Sequence, residues 1–205
     1  MNTWLLIEDE RLGLADSLGE LDADEWRAPS LCRGWSNHYT LAHLVASAQI
    51  TTGRFLGGML RNGFRFQQMV EDFNARAAVE DGPDLVARLR TLATVRDHPP
   101  GPVAAQLLET VVHGEDIAYG LDRKVGHTEA GLLAAAEYAS KEQMFVGCRR
   151  RIAGLALRAT DVDWSTGQGP EVTGPLVLLT LAMCGRAKAL DALSGPGVAI
   201  LRGRS

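Results

Sequence analysis

Apolar residues recur at helical spacing along most of this chain, and breaks rich in glycine or proline separate the periodic segments. Amphipathic or buried helices are therefore predicted for the larger part of the sequence. Ser36 can cap the second of them, because its hydroxyl can accept a hydrogen bond from a backbone N–H of the first turn. The predicted helices span residues 3–21, from about Asn37 to about Leu60, 64–78, 85–95, 103–121, and from Thr128 or Glu129 to about Val146.

The pattern changes after the basic cluster Arg149–Arg151. Alternation within residues 155–166, a glycine-rich turn, and residues 171–175 together predict two short antiparallel strands. A final helix is expected over 176–193, and residues 199–201 are a candidate for one more short strand. The predicted architecture is mainly α: a helical bundle over residues 1–148, and a small α/β C-terminal subdomain over 149–205 packed on it.

The composition of the chain makes several classes of function less favourable. The 205 residues are 46% hydrophobic and 22% charged with a net charge of −4, which is typical of a globular protein and does not favour nucleic acid or an anionic membrane as a partner. The three cysteines are an odd number without a C-x-x-C pair, which indicates a reducing compartment. The N-terminus does not resemble a signal peptide and no apolar run is long enough to span a bilayer, so a cytoplasmic protein is expected.

Glu109 and His113 form the first candidate site, because they stand four residues apart in a largely apolar predicted helix. Side chains at positions i and i+4 lie on one helical face, about one turn apart, and can share a divalent ion. His43 lies in a second apolar helix and is the best candidate for a third ligand, since a buried imidazole needs a polar partner. Two histidines and one carboxylate suit zinc or another first-row divalent metal and leave coordination positions open.

Other polar residues have two interpretations each. Asp116 shares the face of Glu109 and His113, so it either supports a liganding imidazole by a hydrogen bond or bridges to a neighbouring helix or to Arg123. Cys32 is expected to be a half-buried structural thiol, because no second motif supplies the base that a nucleophilic cysteine needs. The cluster Arg149–Arg151 is expected to be solvated, with attraction of carboxylates as the alternative. The remaining histidines, His38, His98 and His127, are expected to be solvated.

Three segments are specific enough to be compared with the motifs of known families: Pro29–Ser36 (PSLCRGWS), Leu41–Leu44 (LAHL) and Glu109–Ile117 (ETVVHGEDI). With them the chain resembles the mycothiol-dependent maleylpyruvate isomerase family, which belongs to the DinB-like metalloproteins. Segments further on look like the C-terminal extension of its actinobacterial members: 159–164, 169–175 and Gly185-Arg186. One departure is that His38-Tyr39 stand where the family usually carries an Arg-Asp pair.

The resemblance implies a DinB-like up-down four-helix bundle in which helices two and three bring His43, Glu109 and His113 to a divalent ion, usually zinc. It further implies that mycothiol, a low-molecular-weight thiol, is activated at the metal as the nucleophile that adds to, or is transferred onto, a small electrophile. Arg186 corresponds loosely to a functional arginine that would bind a carboxylate of the substrate or cofactor, and a salt bridge to the bundle is equally compatible with its position.

Two other functions are compatible with the same residues. A non-catalytic metal- or ligand-binding module is one, and the replaced Arg-Asp pair is its support. A metal-dependent hydrolase that uses bound water in place of a thiol is the other. A monomer or a homodimer is expected, and the sequence does not identify the electrophile.

Overall fold

The computed structural model describes residues 2–204, which divide into two compact units, one up to Thr128 and the other from Glu129. The predicted class is confirmed: the protein is mainly helical and has one small sheet in its C-terminal part. The predicted domains 1–148 and 149–205 stay a prediction. Among the described helices, none combines the length and the apolar character of a membrane-spanning segment.

The first unit contains seven α-helices and a short 3₁₀ helix among its described residues. Their bounds are α1 Thr3–Leu18, α2 Ala23–Arg27, α3 Asn37–Ala48, α4 Thr52–Arg61, α5 Phe66–Ala77, α6 Gly82–Thr91, α7 Ala104–Ala118 and the 3₁₀ helix Tyr119–Leu121.

Four of these helices form the predicted bundle. Helix α1 packs on α7, α7 on α3, α3 on α6, and α6 on α1, so the four close into a ring. Leucines from three of them meet in the core, and they are almost completely buried: Leu14, Leu18, Leu41, Leu85 and Leu89. Burial of aliphatic side chains on one face of each helix is the main favourable term that holds such a bundle together. Helix α5 packs on the outside of α3.

The start of α3 lies where the sequence predicted it, but its end does not. Ser36 caps the helix as predicted, because its Oγ accepts a hydrogen bond of 3.1 Å from the backbone N–H of Tyr39. The prediction of one helix as far as Leu60 was wrong: α3 ends at Ala48 and α4 begins at Thr52. The reason is a second cap, since Thr51 Oγ1 accepts from the backbone N–H of Arg54 and starts a new helix.

The second unit combines four α-helices, a 3₁₀ helix and three strands in its described part. Their bounds are α8 Glu129–Lys141, α9 Cys148–Arg151, β1 Ala156–Ala159, β2 Ser165–Gly167, β3 Glu171–Gly174, α10 Leu176–Met183, the 3₁₀ helix Ala187–Ala192 and α11 Gly197–Arg202. The sheet order is β2-β1-β3, with β1 antiparallel to β2 and parallel to β3.

Several predicted boundaries in this unit were wrong. Residues 155–166, which were predicted to form one strand, contain β1 and the start of β2, and these two strands form a hairpin. Residues 199–201, the candidate for another strand, are helical. Helix α8 stops at Lys141 because the carboxylate of Glu142 accepts hydrogen bonds from the backbone N–H groups of Val146 and Gly147, which holds the chain in a loop. The last long helix ends at Met183, just before Gly185, whose positive φ of 85° is left-handed.

Candidate metal site

Two facing pairs of side chains join α3 and α7. The rings of His43 and His113 meet edge to face, with their centroids 4.9 Å apart. One helical turn away, Ser47 Oγ donates a hydrogen bond of 2.6 Å to Glu109 Oε2. The pairing of 43 with 113 and of 47 with 109 means that the two helices run antiparallel. The structure therefore places the rings of His43 and His113 in contact and Glu109 one turn further along the same helix pair.

After its first two residues, α7 reaches solvent only along this stripe. In the described stretch from Gln106 to Ala118, every residue is buried except Glu109 and His113, which are partly exposed. On α3, His43 and Ser47 are likewise partly exposed between buried neighbours. A few partly exposed polar side chains among apolar neighbours are typical of ligand sites. A small molecule could therefore reach the two histidines and the carboxylate.

The imidazole of His113 is held from one side. Its Nδ1 donates a hydrogen bond of 2.9 Å to Oδ2 of Asp116, which is completely buried. Among the described residues, Nε2 of His113 has no hydrogen-bond partner. A carboxylate on one ring nitrogen fixes the tautomer and makes the other nitrogen a better metal ligand. Arg123, the competing partner considered for Asp116, forms an ion pair of 2.8 Å with Glu25.

His43 is held in the same manner by a neutral group. Its Nδ1 lies 3.1 Å from Oδ1 of Asn74, a buried residue of α5. In the orientation in which the amide oxygen accepts, His43 Nε2 is left with its lone pair free. Asn74 is a supporting residue that sequence reasoning missed, because a single asparagine in a polar segment carries no recognisable pattern.

Trp35 covers both imidazoles. Its ring centroid lies 5.1 Å from that of His43 and 6.0 Å from that of His113, and it also meets the ring of Tyr39 edge to face. The indole belongs to the loop before α3, within the motif Pro29–Ser36. An aromatic wall of this kind lowers the local polarity and strengthens electrostatic interactions at the site.

The two histidines differ in charge preference. Burial is the largest influence on both pKa values and lowers them. Hydrogen bonds with Asp116 and Cys32 overcome this for His113 and raise its pKa to about 9. The pKa of His43 stays lowered, since the neighbouring His113 adds to the effect of burial. Asp116 thus favours positive charge on the His113 side of the site.

Cys32 lies closer to this centre than the sequence suggested. Its Sγ is 3.2 Å from Asp116 Oδ2, to which it donates, and 3.4 Å from His113 Nδ1. The ligand atoms of Cys32, His113 and Asp116 all lie within 4.8 Å of one another, so this group could hold a metal. Within residues 2–204 no other group of three such side chains has this spacing, and the predicted set of His43, Glu109 and His113 does not reach it. The two groups share His113 but use opposite ring nitrogens. They are therefore alternative positions for one ion.

The other predicted residues are placed as follows. Arg186, in the second unit, donates from Nη1 to the carbonyl oxygen of Cys184 at 2.9 Å. In the basic cluster Arg149 and Arg150 are exposed, as predicted, whereas Arg151 donates to the carbonyl oxygen of Met183 at 2.5 Å.

The expectation that the other histidines are solvated was wrong for His127, whereas His38 and His98 are partly exposed. His38 Nε2 contacts the carbonyl oxygen of Glu80 at 2.7 Å, and His98 is partly buried. His127 is the strongest exception, since its side chain is only 7% exposed and lies between the carboxylates of Glu10 and Glu115. The sequence could not predict these two contacts, because Glu10 is distant along the chain and Glu115 lies on another element.

A ring of four helices with two histidines and a carboxylate on facing helices defines a bundle with a candidate divalent-metal centre. Residues 7–98 match the family model of the mycothiol maleylpyruvate isomerase N-terminal domain. The match confirms the resemblance found in the motifs.

Two solved structures have a similar fold. The chain is similar in fold to the crystal structure of the mycothiol-dependent maleylpyruvate isomerase, with a TM-score of 0.56 and 15% sequence identity, over 94% of this chain and 91% of that one. A mutant of that enzyme with a histidine replaced by alanine matches equally, at a TM-score of 0.56 and 16% identity, with the same coverage of both chains. At such identity the likeness concerns the fold. No curated protein sequence matches the chain.

Proposed function

We propose that this protein is a mycothiol-dependent, divalent-metal enzyme that adds a low-molecular-weight thiol to, or transfers it onto, a small electrophile. The observation that carries the proposal is the group of His43, Glu109 and His113 on facing helices, at the partly exposed end of an otherwise buried interface. The family of residues 7–98 supports mycothiol as the thiol.

The donor set fits a divalent ion such as zinc. Both imidazoles have one nitrogen engaged by an oxygen of the protein, Asn74 for His43 and Asp116 for His113, and one nitrogen without a described partner. Ser47 holds one oxygen of Glu109 and leaves the other available. Two nitrogens and a carboxylate oxygen are a common zinc set, and three protein ligands leave room for an exogenous molecule.

The chemistry that a bound divalent ion would supply is a lowered thiol pKa, so that the reactive thiolate forms near neutral pH. The protein groups have simpler tasks. Asp116 and Asn74 keep the rings oriented, Ser47 orients the carboxylate, and Trp35 shields the imidazoles from bulk water. Arg186 is proposed to bind a carboxylate of the substrate or cofactor, which predicts that Arg186→Gln raises KM more than it lowers kcat.

Metal analysis of purified variants tests where the ion lies. We expect about one equivalent of metal in the wild-type protein, and a loss of it in Glu109→Gln and in His113→Ala. His38→Ala is the matched control, because it removes an imidazole from another face of the same helix α3. Cys32→Ser should keep the metal. If Cys32→Ser loses the metal and Glu109→Gln keeps it, the ion belongs to the group of Cys32, His113 and Asp116.

Thiol consumption tests the reaction. Metal-loaded protein is incubated with mycothiol and with electrophiles that include maleylpyruvate and epoxides, and the free thiol is followed. Consumption that disappears in His113→Ala supports the proposal. Tight metal binding without turnover of any electrophile would support a binding module, and hydrolytic activity without added thiol would support a hydrolase.

A further inference from the structure

A cavity of about 580 Å³ lies in the first unit, between helices α3, α4, α5 and α6. Its volume is within the range of roughly 300–1,000 Å³ that small-molecule sites occupy. The predicted metal ligands do not line it, so it is distinct from the metal site. Much of its wall is apolar, and the apolar lining residues are Val45, Ala46, Ile50, Phe73 and Ala77.

The charged residues at this cavity are mostly cations. Four arginines line it: Arg54, Arg61, Arg76 and Arg88. Glu80, the acidic residue of the lining, forms an ion pair of 2.7 Å with Arg88. Arg54 donates to the neutral carbonyl oxygen of Gln49 at 3.1 Å. Within residues 2–204, Arg61 and Arg76 form neither an ion pair nor a side-chain hydrogen bond. The cavity therefore has an excess of positive charge, which would attract an anion.

Three of the five residues that α4 contributes to the cavity wall are glycines. Gly53, Gly57 and Gly58 all line the cavity, although each glycine inside a helix costs about 1 kcal/mol relative to alanine. Packing explains Gly58, because an added Cβ would lie 2.8 Å from Met69 and 2.9 Å from Phe73. It does not explain Gly57, where an added Cβ would meet nothing within 4 Å. A bare helix wall is what a ligand that lies against the backbone requires.

We propose that this cavity binds a small organic carboxylate whose apolar body lies against the glycine face of α4. Arg61 and Arg76 bind its carboxylate, because guanidinium groups pair with carboxylates in a bidentate geometry. The site does not depend on the metal and would operate in metal-free protein. The carboxylate bound there is either part of a substrate or a separate acidic ligand that regulates the enzyme.

Titration calorimetry with 2-naphthoate as the probe tests the charge requirement. We expect saturable binding that weakens about tenfold or more in Arg61→Gln/Arg76→Gln, while metal content stays unchanged. Arg149→Gln/Arg150→Gln is the matched control, since it removes two exposed arginines of the second unit. The neutral isostere 2-naphthylmethanol should bind at least about tenfold more weakly than naphthoate. Equal affinity of naphthoate for both double variants, or equal affinity of the two probes, would overturn the proposal.

Gly57→Leu tests the location without any change of charge. The leucine side chain would enter the open space of the cavity and block the probe, while the replacement of a helical glycine favours the helix. We expect naphthoate binding to be lost in a variant whose thermal midpoint is equal to or higher than that of the wild type. Retained binding in such a folded variant would show that the probe lies elsewhere and would contradict the proposal. Neither outcome depends on the catalytic assay.

Discussion

The first unit contains two buried histidine clusters, one around His127 and one formed by His43 and His113, and their hydrogen bonds suit them to different roles. His127 has a carboxylate at each ring nitrogen, with Nδ1 at 2.5 Å from Glu10 and Nε2 at 2.9 Å from Glu115. His43 and His113 each have an oxygen at one nitrogen, and their second nitrogen has no hydrogen-bond partner among the described residues. An imidazole with both nitrogens engaged is a charged cross-link between helices. An imidazole with one nitrogen engaged is an oriented ligand.

The number of engaged nitrogens therefore separates a structural histidine from a candidate metal ligand better than burial does. His127 and His113 are both largely buried, and both have a pKa raised to about 9 against the effect of burial. For His127 the hydrogen bonds with Glu10 and Glu115 cause the rise, and for His113 those with Asp116 and Cys32 do. A raised pKa alone would not distinguish them.

The largest expected effect is that His127→Ala loses stability but keeps the metal, whereas His113→Ala loses the metal but keeps more of its stability. His127→Ala leaves two carboxylates buried without their cation, so we expect a loss of about 3 kcal/mol in the free energy of unfolding but retained metal. His113→Ala should lose the metal and retain the metal-free stability more fully. Chemical denaturation and metal analysis of both proteins measure this. A His127→Ala protein that is as stable as the wild type would break the comparison.

Stability should next depend on pH through His127. Its folded pKa of about 9 lies above the ordinary histidine value of 6.5, so its contribution is fully present below about 6.5 and is lost as the pH rises through about 9. The size of the shift corresponds to about 3 kcal/mol. Denaturation of metal-loaded protein between these pH values measures it. His127→Gln is the control, and a wild-type decline that persists unchanged in this variant would argue against the assignment.

A smaller effect is expected from Asp116→Asn at the other cluster. The substitution preserves shape but removes the charge that orients and polarises His113, so metal affinity should fall about tenfold or more. Competition with a chelator measures the affinity. The matched control is Glu115→Gln, which alters the partner of His127 and should leave metal affinity within about twofold of the wild type. Similar losses in the two variants would mean that the clusters are not separate.

The smallest effect is expected from Asn74→Ala. The hydrogen bond from His43 to a neutral amide is worth about 1 kcal/mol, which corresponds to roughly a fivefold loss of metal affinity. Asn74→Asp keeps an oxygen acceptor at the same place and should retain or improve binding. If Asn74→Asp were weaker than Asn74→Ala, the amide would be donating to His43, and the free-nitrogen interpretation of His43 would be wrong.

Local periodicity determined much of this protein. The spacing of Glu109 and His113 places them on one helical face whatever surrounds them, and Ser36 caps α3 by contacts within four residues. The motif around His43 added the third candidate, and the family likeness of residues 7–98 agrees with it. These features were accessible from the sequence because a helix repeats every few residues, so its geometry is known before its neighbours are.

Contacts across the bundle needed the tertiary structure. Cys32 is 81 residues from His113 along the chain, and His127 is 117 residues from Glu10. Whether such groups meet depends on how the helices pack, and packing depends on the shapes of many side chains together. The same holds for the parallel pairing of β3 with β1. The sequence by itself determined which helix faces carry polar groups, and only the tertiary structure decided which nitrogen of each histidine is engaged and which stays available.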